Sequence, residues 1–382
     1  MSVVVPARIE VGTKLQLLAS AKDASNATVA VSTGSVRWKV TSGSSKLSVT
    51  AYGEAQGLAL GEANVTATID GVTSPVQTLK VVGASPTLQT IRIPVNELVY
   101  SKANGKVWAT IPANGGANAN CVVSIDPARG VIGDRVLVGP EPHQIAITDD
   151  GKYAYVSVEA DGTVRRVNLL THNMGPSVSV GSNDFEDLAT VPGKPEMFLV
   201  ARSPIGGVNL NAWKSGVKLE GTGAVGYRIH FASDGKTIYG DGEGALFEDV
   251  LSDTKVTWTD EDFLDVTGFK YSEGLIYTSK GLIINPVTKS VVGQLTTPAT
   301  IYNDRHTAVS DADDRVYIVT WNHGIGKQLL TFDKTKRTAI DAFDTKYTPG
   351  GATNMVACDN HTVAFSIYGD VEHVVNIVRG LP

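Results

Sequence analysis

Cysteine is nearly absent: two in 382 residues, too few for a disulfide framework or a thiolate metal site. The seven histidines, His143, His172, His230, His306, His323, His361 and His373, show no His-x-His or His-Glu-x-x-His spacing. No apolar run reaches the roughly 18 residues of a membrane-spanning helix, so no membrane insertion is expected. Aromatic residues are 7% of the chain and the net charge is -6. A general nucleic-acid binder needs a basic surface to displace phosphate counterions, so no nucleic-acid partner is expected either. There is no Gly-x-Ser-x-Gly nucleophile elbow and no glycine-rich loop leading into a helix that would cradle phosphate. The opening Met-Ser-Val-Val-Val-Pro-Ala-Arg lacks the basic, apolar and small-residue regions of a secretory signal. Three origins stay open: a cytoplasmic protein, a trimmed segment of an exported one, or a virion component.

What the chain has in plenty is turns. Its 39 glycines exceed the average share of roughly 7%, and they are spread among Asn, Asp and Ser as many tight turns require. From Val3 to about Val82 short alternating runs recur. Leu15, Leu17 and Ala19 alternate with Lys14, Gln16 and Leu18, and Val36, Trp38 and Val40 alternate with Arg37 and Lys39. Val65, Ala67 and Ile69 alternate with Thr66 and Thr68. A period of two in short repeated runs predicts an antiparallel β-sandwich over 1–83, with Trp38 as core anchor.

The run Val36-Arg-Trp38-Lys-Val40, then Leu47-Ser-Val49, then Gly53 through Gly57 and Gly61 to Ala67 resembles a bacterial immunoglobulin-like domain of group 2 (BIG2). That resemblance implies a spacer or adhesive module of surface proteins or phage particles, with no catalytic residues.

Beyond the linker Gly83-Ala-Ser-Pro86 one phrase recurs: a polar residue, an apolar strand, an Asp, Asn or Gly turn, then a strand with an aromatic residue. Its copies start at Glu97, Gln144, Asp187, Arg228, Asp265, His306 and Asn354. A period near 40 residues with about four short strands per unit predicts a seven-bladed β-propeller over 84–382. The last repeat ends one strand short at Pro382, and Leu88-Gln-Thr-Ile-Arg-Ile93 supplies the missing one. The expected fold is therefore all-β: an Ig-like β-sandwich, then a propeller whose last blade is closed by an N-terminal strand (3+1 closure), which removes two open edges.

Thr148-Asp-Asp-Gly-Lys-Tyr-Ala-Tyr155-Val-Ser, followed by Gly162 to Thr171, resembles the YVTN surface-layer propeller repeats, which end a strand in Asp or Asn before a Thr-rich turn. Val122 to Gly130 and Leu329 to Lys336 fit the same pattern. Repeats three, four and five fit it less well and read as shortened blades.

The first strand of each blade lines the central channel, so the aligned starts form a ring: Glu97, Gln144, Asp187, Arg228, Asp265, His306 and Asn354. His143, Glu186, Tyr227 and Arg305 precede four of them. Such a ring is able to hold a polar ligand or a cation, although strand starts at a wet channel favour polar residues in any case. Calcium is the cofactor the acid clusters Asp184-Phe-Glu186-Asp187, Asp260-Glu-Asp262 and Asp311-Ala-Asp313-Asp314 would take, yet none has EF-hand spacing. No other cofactor is expected. Cys121 and Cys358 fall on neighbouring blades at different radii and are expected to be buried free thiols.

These features favour a non-enzymatic surface or particle module: a spacer presenting a propeller to a protein or glycan partner, at the cell surface or in a phage virion. The alternative is a propeller lyase or hydrolase using His143, Glu186, Arg228 and His306 at the channel mouth. An intracellular interaction hub, marked by a large exposed apolar patch, is a third reading.

Overall fold

A computed structural model describes residues 2–4, 8–22, 25, 28–29, 31, 33–83, 85–181, 184–203, 209–223, 227–242, 244–266, 268–296, 306–322, 326–345, 351–368 and 373–382, with backbone alone at 2–4, 22, 28, 33, 242, 244, 260–265, 321–322 and 326. Among the described residues there is no α-helix, and regular structure is almost entirely β. Two compact units divide the chain: Met1–Pro86 together with Gly380–Pro382, and Thr87–Arg379.

The first unit holds three sheets, of three, five and three strands. Its largest sheet centres on Gly61–Ile69, which pairs antiparallel with Arg37–Ser42 so that Trp38 lies opposite Ala67 and Val40 opposite Val65. The alternation read from the sequence sets the inner face: Leu17, Trp38, Leu47, Val65 and Leu79 are buried in one core, while Leu18 is exposed. One pair departs from the antiparallel expectation, because Gln77–Val82 runs parallel to Arg8–Glu10. Gly53 has a reason beside Trp38. Its φ is +92°, and a Cβ there would sit 2.6 Å from Trp38 Nε1 and 2.8 Å from Gln16 Nε2. Gly53→Ala should therefore destabilise this unit by about 1–3 kcal/mol through strain and overpacking. Gly71→Ala is the control, since its φ is +83° but no atom lies within 4 Å of the added carbon. A urea midpoint for Gly53→Ala no lower than for Gly71→Ala would refute the packing account.

The second unit contains seven four-stranded antiparallel sheets. Their first strands are Glu97–Ser101, Pro142–Ile147, Phe185–Val191, Arg228–Phe231, Phe269–Ser272, Thr307–Ser310 and Gly351–Cys358. Each first strand touches the next, and the seventh touches the first, so these strands close a propeller-like ring. The seventh sheet takes its fourth strand from the other end of its sequence. Thr87–Arg92 pairs antiparallel with His373–Arg379, from Thr87 opposite Arg379 to Arg92 opposite Val374.

Burial follows radius. Second strands such as Tyr153–Val158 and Thr362–Tyr368 are buried almost throughout, because neighbouring sheets cover both faces. Fourth strands such as Asn173–Ser179 are mostly exposed. Separate apolar clusters fill the gaps from sheet 7 through sheet 1 round to sheet 6: Trp108 and Val122 meet Val156 and Val167 between sheets 1 and 2. Between sheets 7 and 1, Val375 and Ile377 meet Val107 and Ile111, and both free thiols, Cys121 and Cys358, are buried in that cluster.

Turn chemistry explains the repeated phrase. At the first hairpin of sheet 2, Gly151 takes φ +67° and Asp150 Oδ1 accepts the Lys152 N–H at 3.0 Å. Between third and fourth strands, Asp126, Asn168, Asn285 and Asp333 each accept backbone N–H groups two to three residues on, the Asx turn that cheaply reverses a chain. Sheet 5 thus carries this turn, although its repeat fits the pattern poorly in sequence. Nor is sheet 4 shortened: its outer strand Val256–Val266 has eleven residues, whereas the outer strand of sheet 3, Val217–Lys218, has two.

Candidate functional site

Polar side chains at the inner strands first serve as stitches between sheets. Asn96 Nδ2 donates to Pro142 O at 2.8 Å and Thr110 Oγ1 to His143 O at 2.6 Å, joining sheets 1 and 2. Thr190 Oγ1 donates to Ile147 O at 2.8 Å between sheets 2 and 3. Asp187 Oδ2 accepts the Ile229 N–H at 2.8 Å, and Asp241 Oδ2 accepts the Gly268 N–H at 2.7 Å, at the next two gaps. Lys334 Nζ reaches Glu273 at 2.7 Å, Asp313 Oδ2 accepts the His361 N–H at 3.1 Å, and Asn354 Nδ2 donates to Asn96 O at 2.8 Å, completing the circuit. Every gap is bridged, and at all but the gap between sheets 5 and 6, where the bridge is an ion pair, the side chain satisfies a backbone group that would otherwise be left open.

Inside this circuit lies a cavity of about 1030 Å³. Of the ring residues expected from the sequence, Glu97, His143, Gln144, Glu186, Asp187, Tyr227, Arg228 and Asn354 line it. His306 is buried behind the wall, with its Nδ1 3.3 Å from Arg228 Nη2. Guanidinium nitrogens only donate, so this contact requires a neutral His306 with its proton on Nε2.

Asp265 needs correction. It does not start an inner strand: it lies in Val256–Val266, the outermost strand of sheet 4, and the inner strand of sheet 5 begins at Phe269. The long outer strand absorbs the residues that the repeat alignment assigned to the next sheet. Arg305 lies outside the described residues, as do the side chains of Asp260, Glu261 and Asp262.

Three charge-bearing cavity residues were missed by the sequence reading: Lys270, His230 and Asp241. Lys270 occupies the second position of Phe269–Ser272, and Asp241 lies in a second strand, Thr237–Gly242, where it pairs with Arg228. The available signal was a lone lysine between two aromatics in a short strand.

Electrostatically the cavity is a strained mixture of both signs. Burial, then the neighbouring Asp187 carboxylate, pushes Glu97 up to about 7 against the pull of Arg228 and Lys270. Burial raises Asp187 and Asp241 as well, although backbone N–H donors to each pull the other way. Burial and the nearby Arg228 charge lower Lys270, and burial holds His230 well below the usual imidazole range. At the mouth, His143 Nδ1 lies 3.4 Å from Glu159 Oε1, and burial followed by repulsion from Asp184 raises Glu186.

The acid clusters have other work. Asp187 Oδ1 also accepts the Leu188 N–H at 2.8 Å, and Asp311 pairs with Lys334 at 2.6 Å. Among the described residues no group of three or more His, Cys, Asp or Glu is placed to hold a metal ion.

No protein-family model and no curated protein sequence matches the chain. Solved structures do. Hydrazine synthase of Kuenenia stuttgartiensis superposes with a TM-score of 0.54 at 14% identity, covering 72% of this chain and 93% of that one. The Cps50 (Swd1) β-propeller domain of Myceliophteria thermophila gives 0.56 at 12% identity, covering 76% and 99%. The fold is β-propeller-like. At such identities the likeness carries architecture alone, and the chemistry of the propeller-like ring has to be argued from its own side chains. No helix among the described residues is long and apolar enough to cross a membrane.

Proposed function

We propose that the chain is a non-enzymatic binding module of a cell envelope or phage particle, in which a BIG2-type sandwich carries a seven-bladed, YVTN-type propeller with its ligand site in the channel. The Trp38-centred core, the seven ring-forming sheets and the recurring Asx turns support the architectural part. The observation that carries the functional part is the cavity wall. Its charged groups face about 1030 Å³ of open space, while hydrogen bonds to neighbouring sheets fix Asp187, Asp241 and Asn354 in position. Rigid, preformed polar groups around a concavity suit recognition of a partner segment, from protein or glycan, without reorganisation on binding.

The lyase or hydrolase alternative has one observation in its favour. Glu97 titrates near 7 within the cavity, where a general base is best poised. A glycan array and pull-downs from envelope and virion fractions, using the full chain, separate the two. Binding weakened about tenfold or more by Arg228→Ala and by His306→Ala supports the channel site. Binding indifferent to both substitutions moves the partner to another surface, and turnover of a bound glycan favours the enzyme.

A further inference from the structure

We propose that the channel cavity receives a small zwitterion, its carboxylate held by Lys270 and Arg228 and its primary amine by Glu97 and Asp187. This deepens the channel-site reading and rests on it.

Opposite charges sharing a partly desolvated space tend to pair, because a poorly solvated, unpaired charge is costly. Here they do not. Among the described residues Lys270 makes no hydrogen bond or ion pair, and the carboxylates of Glu97 and Asp187 make no ion pair. Asp187 holds only backbone N–H groups, and Arg228 directs Nη2 at the ring nitrogen of His306. The charges are nevertheless close enough to act on one another: Glu97 and Asp187 favour the Lys270 ammonium, and Arg228 opposes it. The ring holds cations and carboxylates near each other and out of contact, which leaves a gap that a third body can fill.

The charge pattern limits what that body is. A simple anion attracted to Lys270 and Arg228 meets Glu97 and Asp187, and a simple cation meets the reverse. A metal ion lacks the required group of donors among the described residues. A molecule with a carboxylate at one end and an ammonium at the other satisfies both sets through charge-assisted hydrogen bonds. Its methylene spacer has an apolar wall available, since half-buried Val99 and Val356 also line the cavity.

Isothermal titration of the full chain with glycine, γ-aminobutyrate and ε-aminocaproate tests this, with caproate and hexylamine as single-charge analogues. The best zwitterion should bind about tenfold or more tightly than either analogue. Lys270→Gln should remove that advantage while leaving hexylamine binding intact, and Lys270→Arg should restore part of it. Glu97→Gln should do the mirror image, sparing caproate. The proposal falls if no zwitterion binds, if an analogue binds as tightly, or if both Gln variants weaken all probes equally in proteins that melt cooperatively. If zwitterions fail while Arg228→Ala still weakens array binding, only this inference is lost. If Arg228→Ala leaves array binding unchanged, the channel reading itself is lost.

Discussion

Val375→Asp should abolish the native ring, with a loss of about 3–5 kcal/mol or outright failure to fold. Val375 is fully buried on the strand His373–Arg379, opposite Ile91 on one side and Ser366 on the other. A carboxylate there has no cation beside it in an apolar cluster that joins the first and last sheets. The damage should also be legible locally. Cys121 and Cys358 belong to the same cluster, and burial raises both thiols above their usual range, so the native protein should leave Ellman's reagent unreacted. In Val375→Asp both thiols should react. Val291→Asp, on the half-exposed outer strand of sheet 5, should change the melting temperature little and leave the thiols protected. A Val375→Asp protein that melts like the parent with silent thiols would sink the account of closure.

Much of this closure was readable in the chain itself. A final repeat with three strand-like runs demands a fourth, and the run before the first repeat has nowhere else to go. The hairpin phrase was equally plain, because Asp150-Gly151 carries both the side-chain acceptor and the positive φ that the turn needs. Trp38 stood out because a large apolar residue between Arg37 and Lys39 fixes which face of the strand is inside.

The site was less legible, and the reasons are physical. Alignment by repeat assumes that every sheet uses the same number of residues. Sheet 4 breaks that assumption by extending its outer strand to Val266, so Asp265 lands at the rim, and the true channel residue Lys270 lies five positions on. Asp241 reaches the cavity from a second strand, a position that a column of first-strand residues cannot contain. Sequence also conceals the double duty of the ring. Asp187 and Asn354 look like ligand-binding residues, yet each bridges neighbouring sheets, so part of the polar ring is architecture that happens to face a channel.

That double duty separates Glu97 from its neighbours. Among the described residues its carboxylate joins no sheet to the next through a side-chain bond, and burial beside Asp187 is its dominant environment. The carboxyl moves from an ordinary 4.5 to about 7 in the folded protein. Across that interval the native state keeps a proton that the unfolded chain has released, so stability falls as pH rises from 4.5 to about 7 and stays low beyond it. Glu97→Gln keeps the shape and removes the ionisation. The variant should melt like the parent at pH 4 and above it at pH 8, by on the order of 1–3 kcal/mol after allowance for partial exposure. Asp187, Asp241 and Glu186 are raised by burial too, so the variant should lessen the alkaline decline without abolishing it. Equal or lower stability of Glu97→Gln at pH 8 would show that the carboxylate is paired in the native state. A more stable variant that has also lost its selectivity for zwitterions would show that the strain at Glu97 is kept for binding, the usual exchange between stability and function at a preformed site.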